Sequence, residues 1–140
     1  MKITLHGLQD KLTFLAKGES GHWIALDTSE EIGGSDAGTS PMELVLEALG
    51  GCTAMDVLSI LKKKRMKYDK FVIDIVGERA QDHPRVFTKI HLVYKFWGNE
   101  LSESAIERAI MLSETKYCSV NAMLRPTVEI TSKFILNPED

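Results

Sequence analysis

Two cysteines are the residues of this chain best suited to covalent chemistry: Cys52 in SPMELVLEALGGCTAMDV and Cys118 in SETKYCSVNAML. There is no third thiol. A thiolate attacks a peroxide oxygen, becomes a sulfenic acid, and condenses with a second thiol to a disulfide. Folded together, the two cysteines form a redox pair; held apart, they are small buried hydrophobes. The attacking sulfur needs a nearby cation or a helix N-terminus to favour its ionised form. Cys52 falls in the middle of its helix, too far along for the dipole to help, so it needs a cation from elsewhere. Cys118 falls near the start of a short helix, which suits a leaving or resolving thiolate. Asp56 lies one turn beyond Cys52 on the same helical face, in an otherwise apolar stretch. An ionised carboxylate there opposes thiolate formation unless a cation sits between the two groups. If buried, it must be paired, and a Lys, an Arg or a hydroxyl at a dimer interface is the expected partner.

The elements that must position these groups follow from periodicity. Three short strands are expected at residues 2–6, 12–16 and 22–27, with glycine and charge between them as turns. TSEEIGGSDAGT is a small-residue loop that ends at a helix start, with Ser40 able to cap and Pro41 suited to the first helical position. The helix should run from Pro41 to about Lys64 and leaves little polar surface on any side. A helix apolar all round is a buried helix, and a chain of 140 residues has little material to surround one this long. That favours a dimer with a shared core. Lys62 to Arg65 complement the helix C-terminus. Phe71, Ile73 and Ile75 alternate in one strand; in the next, Val86, Thr88, Ile90, Leu92, Tyr94 and Phe96 share a face. Ser104 and Glu107 have the spacing of a capping box for a helix through Ser113. A short helix should follow from near Cys118 to Leu124, broken by Pro126, and residues 128–135 alternate as a last strand. The order is βββ-α-ββ-αα-β: an α+β fold with antiparallel sheets around a long buried helix.

Composition bounds the setting. With no repeat and no linker, 140 residues form a single domain, residues 1–140, able to bury a core without disulfide staples. A net charge of −3 gives no footing for nucleic acid or anionic membranes. MKITLHGLQDKL has no long apolar run and no small-residue cleavage site, so export is not expected, and no stretch approaches the roughly 20 apolar residues of a membrane span. A reducing cytoplasm is therefore the expected location, where a cysteine pair is more often redox-active than structural.

Three segments, SPMELVLEALGGC, FTKIHLVYKFWG and KYCSVNAML, resemble the OsmC/Ohr family, and within it the YhfA-type OsmC-like branch. The resemblance runs over about residues 11–136. It implies an OsmC-like fold, an intertwined homodimer, and thiol-dependent reduction of organic hydroperoxides. By the same resemblance Cys52 matches the peroxidatic cysteine and Cys118 the resolving one. Electrons would come from a small dithiol or a lipoylated protein, with no bound cofactor and no metal. The family's activating pair is a glutamate early in the helix and an arginine from the N-terminal strands. Here the glutamate position reads Met42, with Glu43 beside it, and no arginine precedes Arg65. Glu43 is turned by about 100° from the family position. It lies roughly 13 Å along the helix from Cys52 at 1.5 Å per residue, so any partnership must cross the dimer. Glu47, in the same stretch, has no family counterpart. Lys17 is the N-terminal cation nearest the arginine's place, without arginine's two-pronged grip; Arg85 and Arg125 are alternatives. The expected catalytic set is Cys52, Cys118, Glu43 and Lys17. Two other readings stand beside it: a non-catalytic small-ligand-binding or redox-sensing protein, and a structural domain with inert cysteines.

Other signals carry less. The four histidines have no ligand-like spacing among themselves or to the cysteines, so no zinc site is expected from them. GGSDAGTS lacks the Gly-Lys-Ser/Thr ending of a phosphate loop. Trp23, Phe87, Tyr94, Phe96 and Trp97 fall on strand patterns and suit either a core or the wall of an apolar pocket above Cys52.

Overall fold

In the computed structural model, which describes residues 1–139, each sheet is built from three strands and belongs to a different part of the chain. The chain divides into two compact units, one ending at Val45 and one beginning at Leu46.

The N-terminal unit is an antiparallel meander of β1 (Ile3–Gly7), β2 (Phe14–Gly18) and β3 (Trp23–Leu26). The following loop, with one 3-10 turn at Glu30–Ile32, is organised by a polar anchor. Asp27, almost fully buried, accepts hydrogen bonds from the Thr13 hydroxyl at 3.0 Å and from the amides of Thr28, Ser35 and Ala37 at 2.8, 3.1 and 3.0 Å. Burial acts to raise the Asp27 pKa, but the three amides and the hydroxyl together outweigh it and lower the value to about 2. The apolar residues of this sheet, Ile3, Leu5, Leu15, Trp23 and Ile24, are exposed in the single chain.

Helix α1 (Pro41–Lys63) begins in the N-terminal unit and continues into the other. Ser40 and Glu43 form a reciprocal capping box: the Glu43 carboxylate accepts from the Ser40 amide at 2.8 Å, and the Ser40 hydroxyl accepts from the Glu43 amide at 3.2 Å. Only the stripe Leu49, Gly50, Thr53, Val57 and Leu61 is buried. The expectation of a helix buried all round is thus corrected for the single chain, where Met55 on another face is 75% exposed. The expectation that no stretch reaches membrane-spanning length is corrected too: α1 is long and apolar enough by length and composition. Core helices pass the same test, and the buried stripe of α1 is part of a protein core.

In the C-terminal unit, α1 is followed by β4 (Lys70–Arg79), β5 (Phe87–Trp97), α2 (Glu103–Leu112), a π-helical turn (Ser113–Tyr117), α3 (Ser119–Leu124) and β6 (Glu129–Leu136). β4 pairs antiparallel with β5, and β6 pairs parallel with β5, so the sheet is mixed rather than antiparallel. The reason is the connection: two helices return the chain to the strand's starting end, which a hairpin cannot do. α1 lies against this sheet, its Gly50 facing Ile73 and Ile75; an added Cβ there would fall 2.5 Å from Ile75 Cδ1.

Ile90, Leu92, Tyr94 and Phe96 of β5 are buried on one face, as their alternation predicts. Val86 and Thr88 are not; Phe87 takes the core position instead. A β-bulge opposite Glu78 and Arg79 inserts one residue and reverses the alternation there. The Phe87 ring then fills the space above Gly77, where an added Cβ would come within 2.5 Å of it. The α2 cap is Ser102, not Ser104: its side chain accepts from the Ala105 amide at 3.4 Å.

Candidate thiol site

Helical periodicity puts Cys52, Thr53 and Asp56 on adjoining positions of α1, Thr53 on the buried stripe and Cys52 and Asp56 half-buried at its edge. The second cysteine arrives from the other end of the C-terminal unit. The π-helical turn widens the end of α2, and the amide of Cys118 closes it by donating to the Ser113 carbonyl at 2.9 Å. Cys118 then caps α3, its sulfur accepting from the Asn121 amide at 3.3 Å.

This turn brings the two cysteines together. Cys52 Sγ, Cys118 Sγ and a carboxylate oxygen of Asp56 all lie within 4.8 Å of one another, and the thiols are free. Cys118 is 2% exposed. Burial and the hydrogen bond with Cys52 push its pKa up to about 11, against the opposing pull of the Asn121 amide. The expectation of a readily ionised thiolate at the start of a helix is therefore corrected. One amide donor is outweighed by desolvation and by the neighbouring thiol.

Behind the sulfurs runs a chain of buried hydroxyls that the sequence reading missed. Tyr94 and Thr53 share a hydrogen bond of 2.9 Å, Thr53 and Ser113 share another of 2.9 Å, and Ser113 donates to Asp56 Oδ2 at 3.1 Å. Burial pushes the Tyr94 pKa up to about 12, so its phenol stays protonated. Asp56 is thus satisfied by a hydroxyl of its own chain, where a partner at a dimer interface was expected. Among the described residues no Lys, Arg or His is ion-paired with it. The one available signal was Thr53, a polar residue beside Cys52 on an apolar helix; Ser113 read only as a helix end.

The other two expected site residues belong to the N-terminal unit. Glu43 is held in its capping box, and the Ser40 amide, then the Ser40 hydroxyl, keep its carboxyl below the usual range. Lys17 in β2 places its ammonium 5.0 Å from the centre of the Trp23 ring, a cation–π contact. Tyr94 and Phe96 are core residues, with Tyr94 reaching the site through its hydroxyl.

Comparison with known proteins gives this geometry a family. A model described as OsmC-like protein matches residues 33–133. Protein YhfA of Escherichia coli K12 is 43% identical over 123 residues, covering 88% of this chain and 89% of that protein. The crystal structure of a hypothetical protein from Aquifex aeolicus superposes with a TM-score of 0.80 at 34% identity, covering 98% of this chain and 97% of that one. An organic hydroperoxide resistance protein OsmC from Legionella pneumophila superposes with a TM-score of 0.69 at 13% identity, covering 95% and 94%. That last likeness is one of fold.

Proposed function

The chain belongs to the OsmC-like family, and on that premise we propose that it reduces organic hydroperoxides with Cys52 and Cys118. The observation that carries the reading is the meeting of two sulfurs, from α1 and from the cap of α3, within 4.8 Å. Cys52 is the attacking residue because it is half-buried where Cys118 is sealed. Its thiolate takes the distal peroxide oxygen, the O–O bond breaks, and the departing alkoxide is protonated to an alcohol. The Cys118 sulfur then attacks the Cys52 sulfenic acid. An S–S bond forms, and hydroxide leaves with the Cys118 proton as water. A dithiol, free or carried on a lipoylated protein, returns both cysteines to thiols by exchange and is itself oxidised to a disulfide. Asp56 is in reach to receive the Cys118 proton, a help to a thiol whose pKa is about 11.

The working unit in this reading is a homodimer in a reducing cytoplasm. Exposed Trp23, Ile24 and Met55, and a long helix buried along a single stripe, support a second copy as their cover. Glu43, with Lys17 or a later arginine, would tune the site from such a dimer. The test is mass spectrometry of fully reduced protein after one equivalent of cumene hydroperoxide. We expect a rapid loss of two hydrogens, mapped to a Cys52–Cys118 disulfide, absent in Cys52→Ser and reversed by a dithiol. Slow accumulation of oxygen atoms without a disulfide would reject this reading.

A second reading, redox sensing or small-ligand binding without turnover, is favoured by the same Cys118 pKa of about 11. It expects disulfide formation at a rate no faster than for unselective thiols.

A further inference from the structure

We propose that the reduced protein binds one thiophilic divalent metal ion, zinc in the first instance, through Cys52, Cys118 and Asp56. The histidine spacing gives no hint of such a site; the tertiary structure assembles it from two cysteines and a carboxylate. The three donor atoms lie within 4.8 Å of one another, so modest side-chain rotation closes them around one ion. Two thiolates and one carboxylate are a donor set that zinc accepts, with a fourth position left for water or another ligand.

The surroundings favour a metal over a bare thiol pair. Three potentially anionic groups converge, and among the described residues no basic side chain pairs with the carboxylate. With a dication between the sulfurs and Asp56, the carboxylate is a ligand and the ion's charge offsets the convergence of anionic groups.

The outer shell is also built. Ser113 donates to Oδ2 of Asp56 and leaves Oδ1 free to coordinate. The Ser113 hydroxyl is itself fixed by Thr53, and Thr53 by Tyr94, in a buried chain anchored on α1 and β5. The Asn121 amide donates to the Cys118 sulfur and fixes its direction. Metal ligands held by such second contacts lose about 10- to 100-fold in affinity when those contacts are removed. On binding, each cysteine that enters as a thiol releases its proton to solvent; no electron is transferred. The bound ion would occupy both sulfurs and protect them from oxidation.

The metal site stands independently of peroxide turnover, and its test needs no peroxide. Reduced, metal-free protein is titrated with cobalt(II) chloride alone under anaerobic conditions, then with zinc chloride in competition. We expect one cobalt per chain, with sulfur-to-metal charge-transfer absorption and the strong visible bands of a four-coordinate site, displaced by zinc. Cys52→Ser should abolish the charge-transfer signal from that thiolate. Asp56→Asn, nearly isosteric, should weaken binding by at least about tenfold. Wild-type protein oxidised to the intramolecular disulfide should bind none, a control that needs no folded variant. Absence of a four-coordinate spectrum in the reduced protein would overturn the proposal. Wild-type affinity in Asp56→Asn would also overturn it, by reducing the site to a bare dithiol. If cobalt binds and cumene hydroperoxide forms no disulfide, the metal site survives and the peroxidase reading fails; the converse pair of results separates them equally well.

Discussion

The two units of this chain reach order by opposite means. The unit that begins at Leu46 has an apolar core: Leu49, Val57, Leu61, Ile90, Leu92, Tyr94, Phe96 and Ile106 are each at most 1% exposed. The unit that ends at Val45 has its clearest anchor in a carboxylate, Asp27, while Ile3, Leu5, Trp23 and Ile24 lie open. An apolar core tolerates a polar network only where every group is satisfied, and the Tyr94–Thr53–Ser113–Asp56 chain meets that condition. The chemistry-bearing groups sit in the unit that can hold them rigidly. The other unit presents surface.

The difference can be broken most severely at Phe96. Phe96→Ala should cost about 3–5 kcal/mol in urea unfolding, because the ring is fully buried and packs on Phe71 and Tyr68. Gly77→Ala comes next. Its methyl must push the Phe87 ring from the position the β-bulge gives it, at about 1–3 kcal/mol by the same measurement.

Asp27 should act more locally and by pH. Its folded pKa, about 2, lies below the ordinary 3.8, so its contribution is complete above about 3.8 and lost as pH falls through about 2. Hydrogen exchange at the Thr28, Ser35 and Ala37 amides should accelerate across that window, and Asp27→Asn should remove the pH dependence. Ile24→Lys should be mildest, within about 0.5 kcal/mol on the core's unfolding. It should nonetheless shift sedimentation from dimer toward monomer if a second copy covers that sheet. An unchanged sedimentation profile would leave the exposed face without that partner.

Much of the architecture was legible because it depends on local periodicity. The α1 helix begins at Pro41 and ends within a residue of the expected place, since its cap, its first-position proline and its apolar run are all contiguous in sequence. The alternation of β5 identified Ile90, Leu92, Tyr94 and Phe96 as one buried face. The same rule failed at Thr88 and Phe87, because a bulge is set by the partner strand and not by the strand's own residues. Ser104 had the right spacing for a cap, but the choice between neighbouring serines depended on where the chain leaves β5. The parallel pairing of β6 was hidden for a similar reason: alternation fixes which residues face the core, not which way the strand runs.

By itself the sequence determined the order of elements, the family, and the two cysteines as the residues worth testing. Those depend on residue type and short spacing. Only the tertiary structure decided that Cys52, Cys118 and Asp56 share one place, that Ser113 satisfies the carboxylate, and that burial beside Cys52 leaves Cys118 a protonated thiol. Each of these is a distance or a burial between segments remote in sequence, and electrostatic and hydrogen-bond energies depend on that distance and on the water excluded around it.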